Sequence, residues 1–169
     1  MAFRKVTFNG ANVRAADHGA LFAGILADGV VSGCDISVAG GVVSMTTGYF
    51  VAAGRLIENN AVKSFDMASH GPVCRIRLHI DVSEDNTDIN NMIQYDDVND
   101  VASLGALTKE DINGGVGTIY DLEIAVINVT TNSIIRKMPQ VSRPINVLDA
   151  LPASWTGYDN GIYLIKSSE

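Results

Sequence analysis

The segment 73–82 reads VCRIRLHIDV, and from Cys74 onward its apolar and polar side chains alternate. Successive side chains of a β-strand point to opposite faces, so this pattern predicts a long strand with one face in a core and the other in water. Residues 119–129, IYDLEIAVINV, also alternate and predict a second strong strand. Residues 134–138 follow a polar turn and are predicted to pair with this second strand in a hairpin.

Shorter strand-like runs separated by glycine fill the part of the chain before this segment. We expect strands at 34–38, 42–46, 49–52, 55–58 and 62–67. Gly40 and Gly41 are suited to the positive φ angles of a tight hairpin turn. Weaker strand signals occur at 3–8, 92–95 and 163–165. The predicted fold class is therefore mainly β, an antiparallel sandwich or small barrel with one short N-terminal helix.

The predicted helix lies between Ala15 and Asp28, where the spacing of apolar residues changes from that of a strand. Asp17 is the expected N-cap and Gly29 the expected residue after the C-terminus. The apolar face is predicted either to form a seam between copies of the chain or to cover one end of the chain's own sheet. It consists of Leu21, Phe22, Ile25 and Leu26.

The composition excludes several classes of protein. The 169 residues include 47% hydrophobic and 18% charged side chains, which is unlike an intrinsically disordered chain. Twelve basic and 19 acidic residues give a net charge of −7, which disfavours binding to nucleic acid phosphates. No apolar run approaches the roughly 18 residues of a membrane-spanning helix, and no signal peptide is recognised. We therefore expect no nucleic acid or membrane partner, and synthesis in a reducing cytoplasm.

The sequence divides most sharply at His70–Pro72. We predict an N-terminal part, 1–70, with a docking helix and a β-meander, and a C-terminal part, 71–169, with an antiparallel β domain and a tail. Cys34 and Cys74 each fall in a strand-like run, so two buried free thiols are the favoured interpretation. A disulfide stays open as the alternative, because the sequence does not show whether the two thiols approach each other.

Residues that could bind metal do not form a recognisable motif. The three histidines, His18, His70 and His79, are interpreted as isolated surface or helix-end residues rather than zinc ligands. An acidic stretch offers alternating oxygen atoms to calcium but lacks the EF-hand glycine, and it is interpreted as a solvated loop. Its oxygen-bearing residues are Asp81, Ser83, Asp85 and Asp88.

Catalytic motifs are also missing from the sequence. A glycosidase needs two carboxylates paired across a sugar, and nothing in the sequence pairs any two of Asp96, Asp97, Asp100, Glu110 and Asp111. The sequence contains neither a nucleophile elbow nor a phosphate-binding loop. We expect no enzymatic activity, no cofactor and no metal.

Trp155, Tyr158 and Tyr163 cluster in the last part of the sequence. Aromatic clusters of this kind anchor cores and interfaces, and this is the favoured interpretation. Saccharide contact by Trp155 and Tyr158 is the alternative.

Short motifs with glycine at their boundaries recur along residues 1–145. They are Phe8–Gly10, Ala16–Ala23, Asp28–Cys34, Gly48–Ile57, Cys74–Val82, and Tyr120–Val129 followed by Ile134. In this order they resemble a diffuse group of structural proteins of tailed phages and prophages, which are components of the tail or baseplate.

The resemblance implies a virion protein that assembles in the cytoplasm of a bacterial host. Its expected partners are other virion structural proteins and further copies of itself, with a homotrimer favoured. Many such proteins carry a further receptor-binding or fibre domain that this sequence lacks, so we expect a connector or fibre-attachment subunit. The alternative is a carbohydrate- or host-receptor-binding module of the adsorption apparatus.

Overall fold

The computed structural model describes residues 14–84 and 92–141, and the backbone of two further strands at 145–148 and 162–165. Strands dominate these residues, and the predicted mainly β, antiparallel fold with one short helix is confirmed. The helix is α1 (Ala15–Ala23). The strands are β1 (Gly29–Gly33), β2 (Ile36–Ala39), β3 (Val42–Met45), β4 (Gly48–Ala52), β5 (Arg55–Asn59), β6 (Lys63–Asp66), β7 (Val73–Asp81), β8 (Ile93–Val98), β9 (Ile119–Asn128), β10 (Ser133–Lys137), β11 (Ile145–Leu148) and β12 (Ile162–Ile165).

The strands form three antiparallel sheets and one parallel pair. The largest sheet has the order β10-β9-β7-β8, and the two smaller sheets have the orders β1-β4-β5 and β2-β3-β6. Strands β11 and β12 pair in parallel. The strand predicted at 3–8 lies outside the described residues. No helix in the described part of the chain has the length and apolar character needed to cross a membrane.

The apolar face of β7 lies in the core, as its alternation predicts. Cys74, Ile76 and Leu78 are fully buried. The expectation that the opposite face is solvated is wrong at Arg75, which is only 6% exposed. Its guanidinium donates to the carbonyl of Gly105 at 2.8 Å, in a loop that follows a short 3₁₀ turn at Val101–Ser103. The polar face of β7 is thus covered by chain at Arg75 and only partly covered at Arg77 and His79, whose side chains are 17% and 25% exposed.

One hydrophobic cluster joins the three antiparallel sheets. It takes side chains from both sides of His70–Pro72, including Phe50, Met67, Ile76 and Ile124. The division into 1–70 and 71–169 as separate units stays a prediction. Cys34 and Cys74 are both buried and both free, which confirms the favoured interpretation of two thiols.

Two tight turns shape the smaller sheets. Gly40 and Gly41 connect β2 to β3 with φ angles of 57° and 78°, which confirms the predicted hairpin turn. Ala53 and Gly54 connect β4 to β5 with φ angles of 50° and 71°. Positive φ at both central residues is typical of the type I′ turn, whose twist matches that of paired strands. The Gly41 N–H also donates to Asn132 Oδ1 at 2.8 Å, which ties this turn to the β9–β10 turn.

Helix α1 is shorter than the sequence predicts, and both predicted caps are wrong. Arg14 is the N-cap, and Asp17 lies in the first turn, where Oδ2 accepts the Arg14 N–H at 3.1 Å. The helix ends at Ala23 with Gly24 as its C-cap, whereas Gly29 begins β1. The physical reason is long-range pairing, because β1 hydrogen-bonds to β4 on one side and to residues 139–141 on the other.

Candidate functional site

Helix α1 presents an exposed apolar surface that includes most of the predicted docking residues. Leu21 is 51% exposed, Phe22 is 44% exposed and Ile25, just after the helix, is 48% exposed. These three side chains are called the helix patch below. Soluble proteins rarely leave large apolar side chains clustered in water unless a partner covers them. Both predicted roles of this face, a seam between copies of the chain and a cover for the chain's own sheet, stay predictions.

The helix is held to the sheets by its small residues. Gly19 is buried, and the position of a β-carbon on Gly19 is occupied by Asn113. A β-carbon on Gly54 would meet the backbone at Gly19 and Ala23, so the β4–β5 turn and the helix backbone are in direct contact. Asn113 Nδ2 donates to the Ala53 carbonyl at 2.6 Å and fixes the same junction. Backbone contact of this kind fixes the position of the helix while leaving its large side chains outside.

Leu26 differs from the other predicted docking residues. It is half-buried and borders an open cavity of about 300 Å³ between the end of α1 and strand β9. Asp28 also borders the cavity and accepts from Tyr120 Oη at 2.5 Å, from Lys109 Nζ at 2.8 Å and from the Ala53 N–H at 2.8 Å. Burial opposes ionisation of Asp28, but these bonds outweigh it and lower the pKa of the carboxyl. The Asp28 carboxylate therefore connects the segment after α1 to the sheets through its three hydrogen bonds.

The covered face of β7 carries a network of ion pairs. Asp121 of β9 is 5% exposed, and its Oδ1 lies 2.6 Å from an Arg77 nitrogen and 2.7 Å from His79 Nδ1. Asp96 of β8 lies 2.7 Å from Arg75 and 3.2 Å from Arg77. Burial disfavours the charged form of Asp121, but hydrogen bonds from His79 and the Thr108 N–H, with the charge of Arg77, lower the pKa of the carboxyl. The two carboxylates of this network balance the charges of the two arginines, and the network holds the loop that lies over β7.

A second polar cluster joins the β6–β7 link to β8. His70 Nδ1 lies 3.0 and 3.1 Å from the two carboxylate oxygens of Asp97, beside the thiol of Cys74. Burial, then hydrogen bonding to Asp97, raises the pKa of the Cys74 thiol to about 12. A thiol that is protonated and fully buried does not serve as a nucleophile. The interpretation of His70 as an isolated residue is wrong, and its spacing of four from Cys74 was the signal in the sequence.

The remaining predicted residues are dispersed. His18 lies on α1 beside Phe22, with ring centroids 6.5 Å apart. Asp81 accepts from Ser83 within its own turn, whereas Asp85 and Asp88 lie outside the described residues. The other candidate carboxylates accept backbone N–H groups nearby, as Asp100, Glu110 and Asp111 show.

Trp155 and Tyr158 also lie outside the described residues, and saccharide contact by them stays a prediction. In comparisons with known proteins, no family model matches the chain and no curated protein matches its sequence.

Proposed function

We propose that this chain is a structural subunit of a phage tail or baseplate, a connector or fibre-attachment protein that acts by assembly rather than by catalysis. The observation that carries the proposal is the helix patch. Two large apolar side chains of α1 and one just after it stand about half exposed, and the backbone of the helix is fixed against the sheets.

Burial of the helix patch by a partner would lower the free energy of its exposed apolar side chains. Full burial of a Leu, Ile or Phe side chain stabilises by about 1.5–3 kcal/mol. Because the three side chains are about half exposed, covering them contributes roughly 2–4 kcal/mol per copy. This gain is smaller than the cost of association, about 4–15 kcal/mol, so an assembly needs further contacts beside the helix patch. A homotrimer is the proposed form, and it rests on the resemblance of the sequence motifs.

The assignment to a phage particle rests on the resemblance of the sequence motifs. Two of them flank the junction that presents the helix patch. Ala16–Ala23 makes up nearly all of α1, and Gly48–Ile57 forms β4, the type I′ turn and the start of β5. The compensated ion pairs of β7 and the capping roles of the acidic loops support a structural role over a catalytic one.

The first experiment measures the mass of the purified chain by light scattering after size exclusion, at micromolar and tenfold lower concentration. The wild type is expected to have the mass of three chains at both concentrations. A variant carrying Leu21→Ser, Phe22→Ser and Ile25→Ser is expected to be a monomer that still folds, as circular dichroism would show, but with reduced stability because the buried halves of these side chains are also lost. Val116→Ser removes a fully exposed apolar side chain from a loop and serves as the control. A wild-type monomer contradicts the proposed homotrimer, and a patch variant that keeps the mass of three chains contradicts the role of the helix patch between copies.

The place in the particle requires a separate measurement. Mass spectrometry of purified particles from the phage or prophage that encodes the chain is expected to find it in the tail fraction. Its absence from intact particles would contradict the virion assignment, whatever the oligomeric state.

A further inference from the structure

Strand pairing brings together three potential metal ligands that are separated in the sequence. Cys74 of β7 lies directly opposite Asp97 of β8 in the antiparallel register. His70 stands in the link before β7, where its N–H donates to the Met67 carbonyl at 3.0 Å and forms a turn. This turn places the imidazole beside the cross-strand pair. One ligand atom from each of the three residues lies within 4.8 Å of the others.

The three donors are an imidazole nitrogen, a sulfur and a carboxylate oxygen. These are the ligand types of protein zinc sites, and a site with three protein ligands keeps a fourth position for water. With zinc bonds of about 2.0–2.3 Å, tetrahedral geometry separates ligand atoms by about 3.3–3.8 Å. The His70 and Asp97 atoms are 3.0–3.1 Å apart, and all three ligand atoms lie within 4.8 Å. Shifts of a few tenths of an ångström to about one ångström would therefore bring them to zinc geometry.

The surroundings of the cluster also suit a metal ion. The Gly71 N–H donates to Asp97 Oδ1 at 3.1 Å and orients the carboxylate, which is the usual role of a group behind a metal ligand. The His70 ring packs on Tyr95 with centroids 4.5 Å apart, which limits its rotation. The Asp97 side chain is 42% exposed whereas Cys74 is fully buried. An ion would thus enter from the carboxylate side and reach the thiol inside.

We propose that His70, Cys74 and Asp97 form a zinc site that clamps the β6–β7 link to strand β8. The mixed sulfur, nitrogen and oxygen donor set favours zinc over calcium or magnesium, which take oxygen ligands. The site is independent of the helix patch and of the proposed assembly. Metal binding that requires three folded elements stabilises the fold that holds them, so the effect expected of this site is on stability.

The test uses untagged full-length protein stripped of metal by a chelator and then titrated with Co²⁺ alone. When the metal–sulfur bond forms, the Cys74 thiol proton is released to water, because a cysteine ligand must be deprotonated. Cobalt bound to the resulting thiolate gives a ligand-to-metal charge-transfer absorption band. One equivalent is expected to produce this band, and Zn²⁺ is expected to abolish it by competition. Elemental analysis after Zn²⁺ loading and gel filtration is expected to give one zinc per chain, and the loaded protein is expected to melt at a higher temperature.

The control variants separate this site from adventitious binding. Cys74→Ser is expected to lose the charge-transfer band, whereas Cys34→Ser, which changes the other buried thiol, is expected to keep it. His70→Gln and Asp97→Asn are expected to weaken Co²⁺ binding at least tenfold. Because these two residues are less buried than Cys74, their variants keep the test valid if Cys74→Ser does not fold. A wild-type chain without the band, or zinc retention equal in the wild type and the His70→Gln variant, would overturn the proposal.

Discussion

Truncation of Asp121 to alanine is expected to destabilise the fold more than any other single change on the covered face of β7. The carboxylate is 5% exposed and lies within 2.7 Å of both Arg77 and His79. Removing one partner of a buried pair costs about 3–5 kcal/mol, because the other charge is left uncompensated. Arg77 keeps Asp96 at 3.2 Å, which places the ion-pair loss near 3 kcal/mol. The Thr108 N–H also loses its acceptor, which adds about 1 kcal/mol. The expected total is about 4 kcal/mol.

Equilibrium unfolding in urea, followed by far-UV circular dichroism, measures this loss. Glu123→Ala is the matched control, since it removes a carboxylate from the same strand. Glu123 forms a bidentate ion pair with Arg136, with hydrogen bonds of 2.9 and 3.0 Å, and the Arg136 side chain is 46% exposed. Exposed pairs contribute about 0–1 kcal/mol, so the control is expected to lose no more than that. If Asp121→Ala loses no more than Glu123→Ala, the network does not stabilise the sheet and the reasoning is refuted.

Two further predictions concern the helix junction and acid stability. Gly54→Ala is expected to displace α1, because φ is 71° and the new β-carbon meets helix backbone. Gly40→Ala is the matched control, because φ is 57° there and nothing lies near the new β-carbon. Both variants therefore have the backbone strain of positive φ, about 1–2 kcal/mol, but only Gly54→Ala adds a steric clash. Amide hydrogen exchange in α1 is expected to be faster in the Gly54 variant and unchanged in the Gly40 variant. Equal exchange in the two variants would contradict the prediction. Because the folded state lowers the pKa of Asp121, the stability it provides is present above the ordinary value of 3.8 and is lost as the pH falls below it. Asp121→Asn is expected to flatten this acid dependence in urea titrations at several pH values, and an unchanged slope would show that other carboxylates control it.

The sequence was sufficient where local periodicity decides structure. Strands β7 and β9 follow from alternation at every second residue, and the β2–β3 turn follows from Gly40 and Gly41. Local rules failed where distant pairing competes. The apolar spacing continues through Ile25 and Leu26, but pairing of β1 with β4 and with residues 139–141 ends the helix earlier.

The candidate sites show the same limit. The alternation places Arg75 on the polar face of β7. Its burial could not be predicted, because the loop that contains Gly105 is brought over it only by the tertiary fold. His70 and Cys74 are neighbours in the sequence, whereas Asp97 joins them through the register of β7 with β8. The exposure of Leu21 and Phe22 depends on which face of α1 meets the β4–β5 turn, and the apolar pattern by itself does not decide that.

The pairing of β1 with residues 139–141 determines how the molecule would carry a mechanical load. Val30 donates to the Pro139 carbonyl at 2.7 Å and accepts from the Val141 N–H at 2.8 Å, and the two segments run parallel. A pull on helix α1, which enters β1, and an opposite pull at residue 141 would act along both segments. These two hydrogen bonds would then be sheared together rather than broken one after the other.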